Sequence, residues 1–309
     1  MSLQARPLQA PPLQLEEIRW RGWDAIRCVA GDCELIVVIS VGPRILSLRW
    51  GGGENLLHRD TTDFRVGKWR FHGGHRFTVA PENPDSYAPD NSPCETTVEG
   101  NRLTVATLDA HVVPRRVLEI SAAADGAGFD LLHHLENRSD QLWQGAAWAV
   151  TAVPATGCIV SPHCSLEDSV CHWPSGNGFQ GRIALKAAQD HIIATPNGGR
   201  AKAGWHSHAG WLAWLRPEWA FVIHAPEVAR AEECVDGGCN IEVFTCSDYL
   251  EMETLGPKLT LPPGEGASHQ QRWRLVAGSF TPTQWPEIAR RAGCAYSVRD
   301  SNQPNKYAS

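Results

Sequence analysis

Short apolar runs cut by glycine and proline turns restrict the fold of this chain more than any other feature. The clearest runs are residues 33–40, 44–50, 102–107, 112–121, 129–136 and 142–153, then 211–215, 219–224, 241–246, 249–255 and 269–277. They are rich in branched and aromatic residues and are bounded as strands are. Between them lie Val41-Gly42-Pro43, Gly51-Gly52-Gly53, Pro196-Asn197-Gly198-Gly199, Asp236-Gly237-Gly238 and Pro262-Pro263-Gly264, where glycine and proline set the turns. Only residues 281–292 (TPTQWPEIARRA) read as a helix, with Thr281 or Thr283 as its cap. Many strands and one late helix predict an all-β protein, a large antiparallel sandwich rather than alternating βα units. Residues 33–40 (CELIVVIS) are apolar on both parities apart from the ends and Glu34, so that strand is expected to be covered on both faces.

A chain of 309 residues has room for one large domain or two ordinary ones. No composition break marks a second domain. The expected organisation is a disordered leader over 1–14, one sandwich over 15–278, and a helix with a polar tail over 279–309. The amino terminus lacks the apolar core of a secretory signal, so a cytoplasmic location is expected, with the 10 cysteines as free thiols. Acidic residues number 34 against 28 basic, a net charge of −6, which speaks against nucleic acid as a partner. No apolar run reaches the ~18 residues of a membrane span, so no membrane partner is expected either. GxSxG and P-loop motifs are absent, which removes α/β-hydrolase and kinase readings. Tryptophan, with 13 residues against 8 Phe and 4 Tyr, suits either stacking on sugar rings or filling a wide β-core.

Three segments carry candidate chemistry. In Tyr249-Leu250-Glu251-Met252-Glu253-Thr254-Leu255 the strand period of two puts Tyr249, Glu251 and Glu253 on one face and turns Leu250 and Met252 inward. Carboxylates at i and i+2 lie roughly 6.5–7 Å apart. In a cleft, desolvation and mutual repulsion would raise at least one pKa, a general-base setting; on an open face they would be ordinary solvated charges. The second segment, Arg70-Phe71-His72-Gly73-Gly74-His75-Arg76-Phe77, offers donors for hydroxyls or an anionic group, or forms a surface turn with incidental charges. Arg44 shares its parity with Leu46, Leu48 and Trp50, so one arginine on an apolar face needs a partner or a ligand. The third comprises His163-Cys164, Cys171-His172, Cys234, Cys239 and His206-Ser207-His208. None has the spacing of a structural zinc site, so no metal and no cofactor are expected.

Several segments, taken in order, resemble the galactose mutarotase-like (aldose 1-epimerase) superfamily. They are Glu34-Leu35-Ile36-Val37 leading into Val41-Gly42-Pro43-Arg44-Ile45-Leu46-Ser47-Leu48, then Gly53-Glu54-Asn55-Leu56-Leu57 and Gly73-Gly74-His75-Arg76. Near the end come Glu251-Met252-Glu253-Thr254-Leu255-Gly256-Pro257, Leu261-Pro262-Pro263-Gly264-Glu265 and Trp273-Arg274-Leu275. The likeness spans about residues 15–277, closest to an uncharacterised group of mutarotase-like domains. It implies a β-supersandwich that takes a small-molecule sugar or sugar acid, as a monomer or homodimer. It also implies that Glu253 inherits the base role in interconverting sugar anomers. The family's acid is a histidine in a strand matching Leu142-Trp143-Gln144-Gly145-Ala146-Ala147-Trp148-Ala149-Val150, where this chain has none. The resemblance therefore implies either that another histidine serves, His75 beside Arg76 first and His133 or His134 next, or that a non-catalytic sugar-binding or sugar-sensing sandwich remains. Arg44, Arg76, Trp148, Glu251 and Lys202 complete the expected binding set.

Overall fold

A computed structural model describes residues 12–163, 170–174, 183–188 and 190–294. Two large antiparallel sheets carry the chain. The first runs, in spatial order, Gln14–Trp20, Trp23–Ala30, Cys33–Val38, Arg44–Trp50, His75–Ala80, Trp143–Pro154, Tyr249–Leu255, Ile241–Thr245, Ala201–Trp205 and Cys171–His172, with Leu259–Leu261 added beside Trp143–Pro154. The second runs Ala184–Ala187, His191–Thr195, Cys158–Pro162, Trp211–Leu215, Trp219–His224, Gly266–Ala277, Gly128–Glu136, Arg115–Ala122, Arg102–Thr107 and Cys94–Glu99. All-β architecture with one carboxy-terminal helix is thus what the turn-punctuated sequence forms. No helix among the described residues is long and apolar enough to cross a membrane.

The core between the sheets joins Leu35, Val37, Val153, Leu250, Met252 and Val243 of the first to Leu118, Ile120, Phe129, Trp214 and Trp273 of the second. Cys33–Val38 is buried on both sides: Ile36 and Val38 pack with Ala25 and Leu46 on the outer face. Two strand faces are therefore covered, and the outer face of the first sheet is where the candidate residues gather. Over it fold the segments holding Trp69, Phe71 and Tyr87, which pack on Ala152 and Tyr249. The outer face of the second sheet is covered instead by the helix, through Trp285, Ile288 and Ala289 against Trp211, Ala213 and Val222.

Two expectations change at the chain's ends. The helix is shorter than residues 281–292: a 3-10 turn at Pro282–Gln284 leads into Trp285–Arg291. Neither threonine caps the helix. Gln284 is its N-cap, and the Gln284 side chain accepts the Thr281 N–H at 2.8 Å. The expected leader is also cut into by the first strand, which starts at Gln14; residues 1–11 and 295–309 lie outside the described residues. Gly73 and Gly74 do form a turn, but His75–Ala80 behind it is a fully buried strand. A Cβ on Gly74 would stand 2.2 Å from the Ile45 carbonyl oxygen, at φ +63, so only glycine permits this tight approach.

Candidate functional site

Register places the site. Residues paired directly across neighbouring strands share a face, and one such row crosses the first sheet: Arg44, Arg76, Val150, Glu253, Glu242, Gly204 and Cys171. The next row holds Ala152, Glu251, Phe244 and Lys202. Trp148 and Thr78 follow on the other side. Period-two alternation thus delivers two arginines, three glutamates, a lysine and an indole to the outer face. Gly204 leaves the room they need, since a Cβ there would lie 2.9 Å from Glu242 Cγ.

Glu253 is fully buried. Its Oε2 accepts from Trp148 Nε1 at 2.7 Å and from Lys202 Nζ at 2.9 Å. The same ammonium lies 2.6 Å from Glu242 Oε2 and 4.3 and 5.0 Å from the ring centroids of Trp148 and Trp173. Burial alone would lower the Lys202 pKa, but Glu242 and Glu253 outweigh it and hold the ammonium charged. The Glu242 carboxyl is pushed well up, by burial first, with Glu253 and Asp236 adding to it against the pull of Lys202. Asp236, in the loop beside this cluster, is also raised by burial.

Glu251 stands outside this clamp and is half-buried. Burial and the neighbouring Glu253 charge push its carboxyl up to about 7, against Arg76 and Lys202. The Arg76 guanidinium is caged by rings: Trp69 at 4.9 Å, Trp148 at 5.5 Å and Tyr87 at 5.6 Å. It donates one bond, to the Ser86 carbonyl at 3.2 Å, and its Nε has no hydrogen-bond partner among the described residues.

The structure brings Glu253, Glu251, Arg76, Trp148 and Lys202 together. It sets Arg44 at the end of the same row, where Nη2 donates to both Asp90 oxygens at 2.9 Å. The lone charge on an apolar face has found a carboxylate in a loop. His75 is not brought to Glu253. It is the neighbour of Arg76 in a strand, so it points the other way, into the core between the sheets, where Nε2 lies 2.9 Å from His133 Nε2. His133 is fully buried there too, and His134 is on the outer face of the second sheet, 3.2 Å from Glu119. None of these three histidines reaches the carboxylates of the first sheet, a correction that follows from alternation alone.

Other residues of the site were not anticipated. Glu242 had the same signal as Arg44, a single charge in the apolar strand Ile241–Thr245. Trp69, Tyr87, Trp173 and Asp236 come from connecting segments and had no pattern to mark them. Among the described residues no cluster of three or more His, Cys, Asp or Glu is arranged to hold a metal ion; Cys164 lies outside them. A hollow of about 350 Å³ exists on the second sheet, but its charges are paired to one another, Arg115 with Glu95 and Glu136, and His134 with Glu119. Satisfied surface pairs ask for no ligand, whereas the caged Arg76 and the half-open Glu251 leave polar capacity unspent.

No protein-family model and no curated protein matches the chain. Solved structures do. A galactose mutarotase-like protein from Lactobacillus casei superposes with a TM-score of 0.55 at 9% identity, covering 85% of this chain and 100% of that one. A galactose mutarotase related enzyme from Lactobacillus acidophilus gives 0.53 at 10%, covering 87% and 98%. A TPR-domain containing protein from Parabacteroides distasonis gives 0.59 at 15%, covering 92% of this chain, which spans 50% of that protein's length. At these identities the likeness is one of fold, and the fold of this chain is the galactose mutarotase-like β-sandwich.

Proposed function

We propose that this chain binds a pyranose sugar on the outer face of its first sheet and interconverts the anomers of that sugar by carboxylate proton transfer. One observation carries the reading: Glu251 and Glu253 share a strand face with Lys202, Arg76 and Trp148, among the indoles of Trp69 and Trp173. Indole faces stack on the apolar faces of sugar rings, and the guanidinium offers donors to hydroxyls. Glu253 is the base. Lys202 and Trp148 hold Oε2, while Oε1 is enclosed with no hydrogen-bond partner among the described residues and takes the anomeric hydroxyl proton once a sugar displaces the side chains over it. Lys202 is already closed by Glu242 and Glu253, and Arg76 faces Glu251, so the cations of this face have carboxyl partners of their own, which favours a neutral sugar over a sugar acid.

A second, non-catalytic reading has its own observation. The Glu253 oxygen that meets Lys202 and Trp148 is fully engaged in structure, and no histidine stands on this face in the family's position. Calorimetry across neutral hexoses and uronic acids, followed by polarimetry on whatever binds, separates the two. Binding of a neutral hexose with mutarotation faster than in buffer, lost in Glu253→Gln, is the expected result. Binding with an unchanged polarimetric rate supports the binder, and no binding removes both.

A further inference from the structure

We propose that Glu251, rather than a histidine, protonates the ring oxygen when the pyranose opens. This rests on the anomer-interconverting reading above and names the acid that the reading lacks. Opening a pyranose needs two groups on one side of the sheet: a base for the anomeric hydroxyl and an acid for the ring oxygen.

Five histidines are held in other contacts. His75, His133 and His269 are buried in the space between the sheets, tied to Thr151, to each other's atoms and to Thr254. His72 is buried against Trp23 at 5.2 Å, over the Arg44 end of the face. His58 is held in a stack with Tyr249 at 4.8 Å and Phe71 at 6.3 Å.

The carboxylates sort themselves just as sharply. Glu242 and Glu253 are closed around Lys202 and fully buried. Glu251 is the one glutamate of the three outside that pair and open to solvent on one side. It sits two residues before Glu253, so the two carboxyl groups project side by side roughly 6.5–7 Å apart, a separation that a pyranose C1–O5 edge with its hydroxyl can bridge. Around Glu251 stand Glu253 on its own strand, Arg76 and Lys202 from strands two removed on either side, Glu82 and Tyr87 from the loop above, Tyr249 at the strand's start and Cys246 just before it. Burial and Glu253 together keep its carboxyl up to about 7, so near neutrality it both holds and releases a proton.

The step balances. Glu251 gives its carboxyl proton to the ring oxygen as the C1–O5 bond breaks and that electron pair stays on oxygen. Glu253 takes the proton from the C1 hydroxyl, whose O–H electrons become the new C1=O bond. Glu251 is left as carboxylate and Glu253 as acid. Rotation about C1–C2 presents the other carbonyl face, and reclosure returns both protons. Lys202 stays charged throughout and holds Glu253 in place.

The test uses the full chain with glucose and galactose, measuring binding by calorimetry and anomer exchange by polarimetry and NMR exchange spectroscopy. Glu251→Gln should lower kcat about 100-fold or more while the sugar Kd stays within about threefold. Glu251→Asp should keep a measurable part of the rate, and His58→Asn should keep all of it. The alkaline limb of the parent's pH–rate profile, near 7, should vanish from the residual activity of Glu251→Gln. A Glu251→Gln protein that binds sugar and works within twofold of the parent overturns the assignment, as does a larger loss in His58→Asn. A parent that binds hexoses but leaves exchange at its buffer rate overturns the assignment and leaves the binding reading standing. A parent that binds no sugar ends both.

Discussion

Lys202 Nζ stands 2.9 Å from Glu253 Oε2, on a strand two removed from it in the sheet, with Glu242 closing the same ammonium at 2.6 Å. One cation thus serves two fully buried carboxylates from adjacent strands. Such a cluster is held by its own pairing: the desolvation of each charge is offset only while its partner is present.

Lys202→Met is therefore expected to cost about 3–5 kcal/mol, the usual result of leaving buried charge unpaired. Most of the loss should appear at pH 8 and shrink at pH 5, where the orphaned glutamates take up protons instead. Adding Glu242→Gln should restore part of it. Urea unfolding at the two pH values reads this directly, and a variant as stable as the parent at pH 8 would show that the ammonium is not holding the cluster.

Trp148 donates its indole N–H to the same Glu253 oxygen while its ring lies 4.3 Å from the Lys202 ammonium. Trp148→Phe keeps an aromatic ring and removes the donor. A hydrogen bond to a charged, buried group is worth about 1.5–3 kcal/mol, and that is the expected destabilisation. Trp148→Leu, which also loses the ring face, should cost more. Equal stabilities for the Phe and Leu variants would mean that the ring face contributes nothing.

Arg44 and Asp90 form the second buried ion pair of this face, and Arg44 Nε and Nη1 have no hydrogen-bond partner among the described residues. Removing the carboxylate charge should hurt more than removing both charges. Asp90→Asn is expected to cost about 3–5 kcal/mol, and the double variant Arg44→Met with Asp90→Leu clearly less, because apolar replacements leave no unpaired charge. Thermal unfolding of the three proteins ranks them; a double variant that is the least stable would reverse the argument.

The strand pattern and the shared face of Glu251 and Glu253 were readable because both follow from a period of two. Arg44 was readable as a residue in need of a partner from the charge it brings to an apolar run. Of Leu46, Leu48 and Trp50, however, only Leu46 shares its face: a bulge opposite Ile36 and Val37 turns Leu48 and Trp50 to the core between the sheets. The partner of Arg44 was not readable, because Asp90 lies in a loop 46 residues away, and no local period links the two. His75 was placed wrongly for a physical reason. The glycines before it signal a turn, and in a turn His75 and Arg76 could point the same way; in the strand that actually follows, adjacent residues must diverge. Glu242 had a legible signal, a lone carboxylate in IEVFT. Trp69, Tyr87 and Trp173 had none, since loops that fold back over a sheet obey no repeat.

The core histidines set the pH range of the fold. His133 Nδ1 faces the His269 carbonyl oxygen at 2.9 Å, so it carries the hydrogen, and its Nε2 accepts from His75 Nε2 at 2.9 Å. His269 Nε2 meets Thr254 Oγ1 at 2.7 Å, and Gln271 and Trp273 extend the chain of bonds. Neutral rings complete this network, and burial resists charging them: His75 is lowered to about 3, His269 to about 4 and His133 well below the ordinary value. In the unfolded chain each titrates near 6.5. The unfolded state therefore binds more protons below that point, and stability falls as the pH drops from about 6.5 toward 3. Their contribution is flat above 6.5, where both states are neutral. NMR of the native protein should show the three rings' C–H signals unmoved from pH 8 to about 5, while the urea midpoint declines over the lower part of that range. Substituting Asn for His133 should shallow that decline, at some cost at neutral pH from the lost bonds. A native ring that titrates near 6.5 would mean that water reaches the space between the sheets, and the network would then be a hydrated channel rather than part of the core.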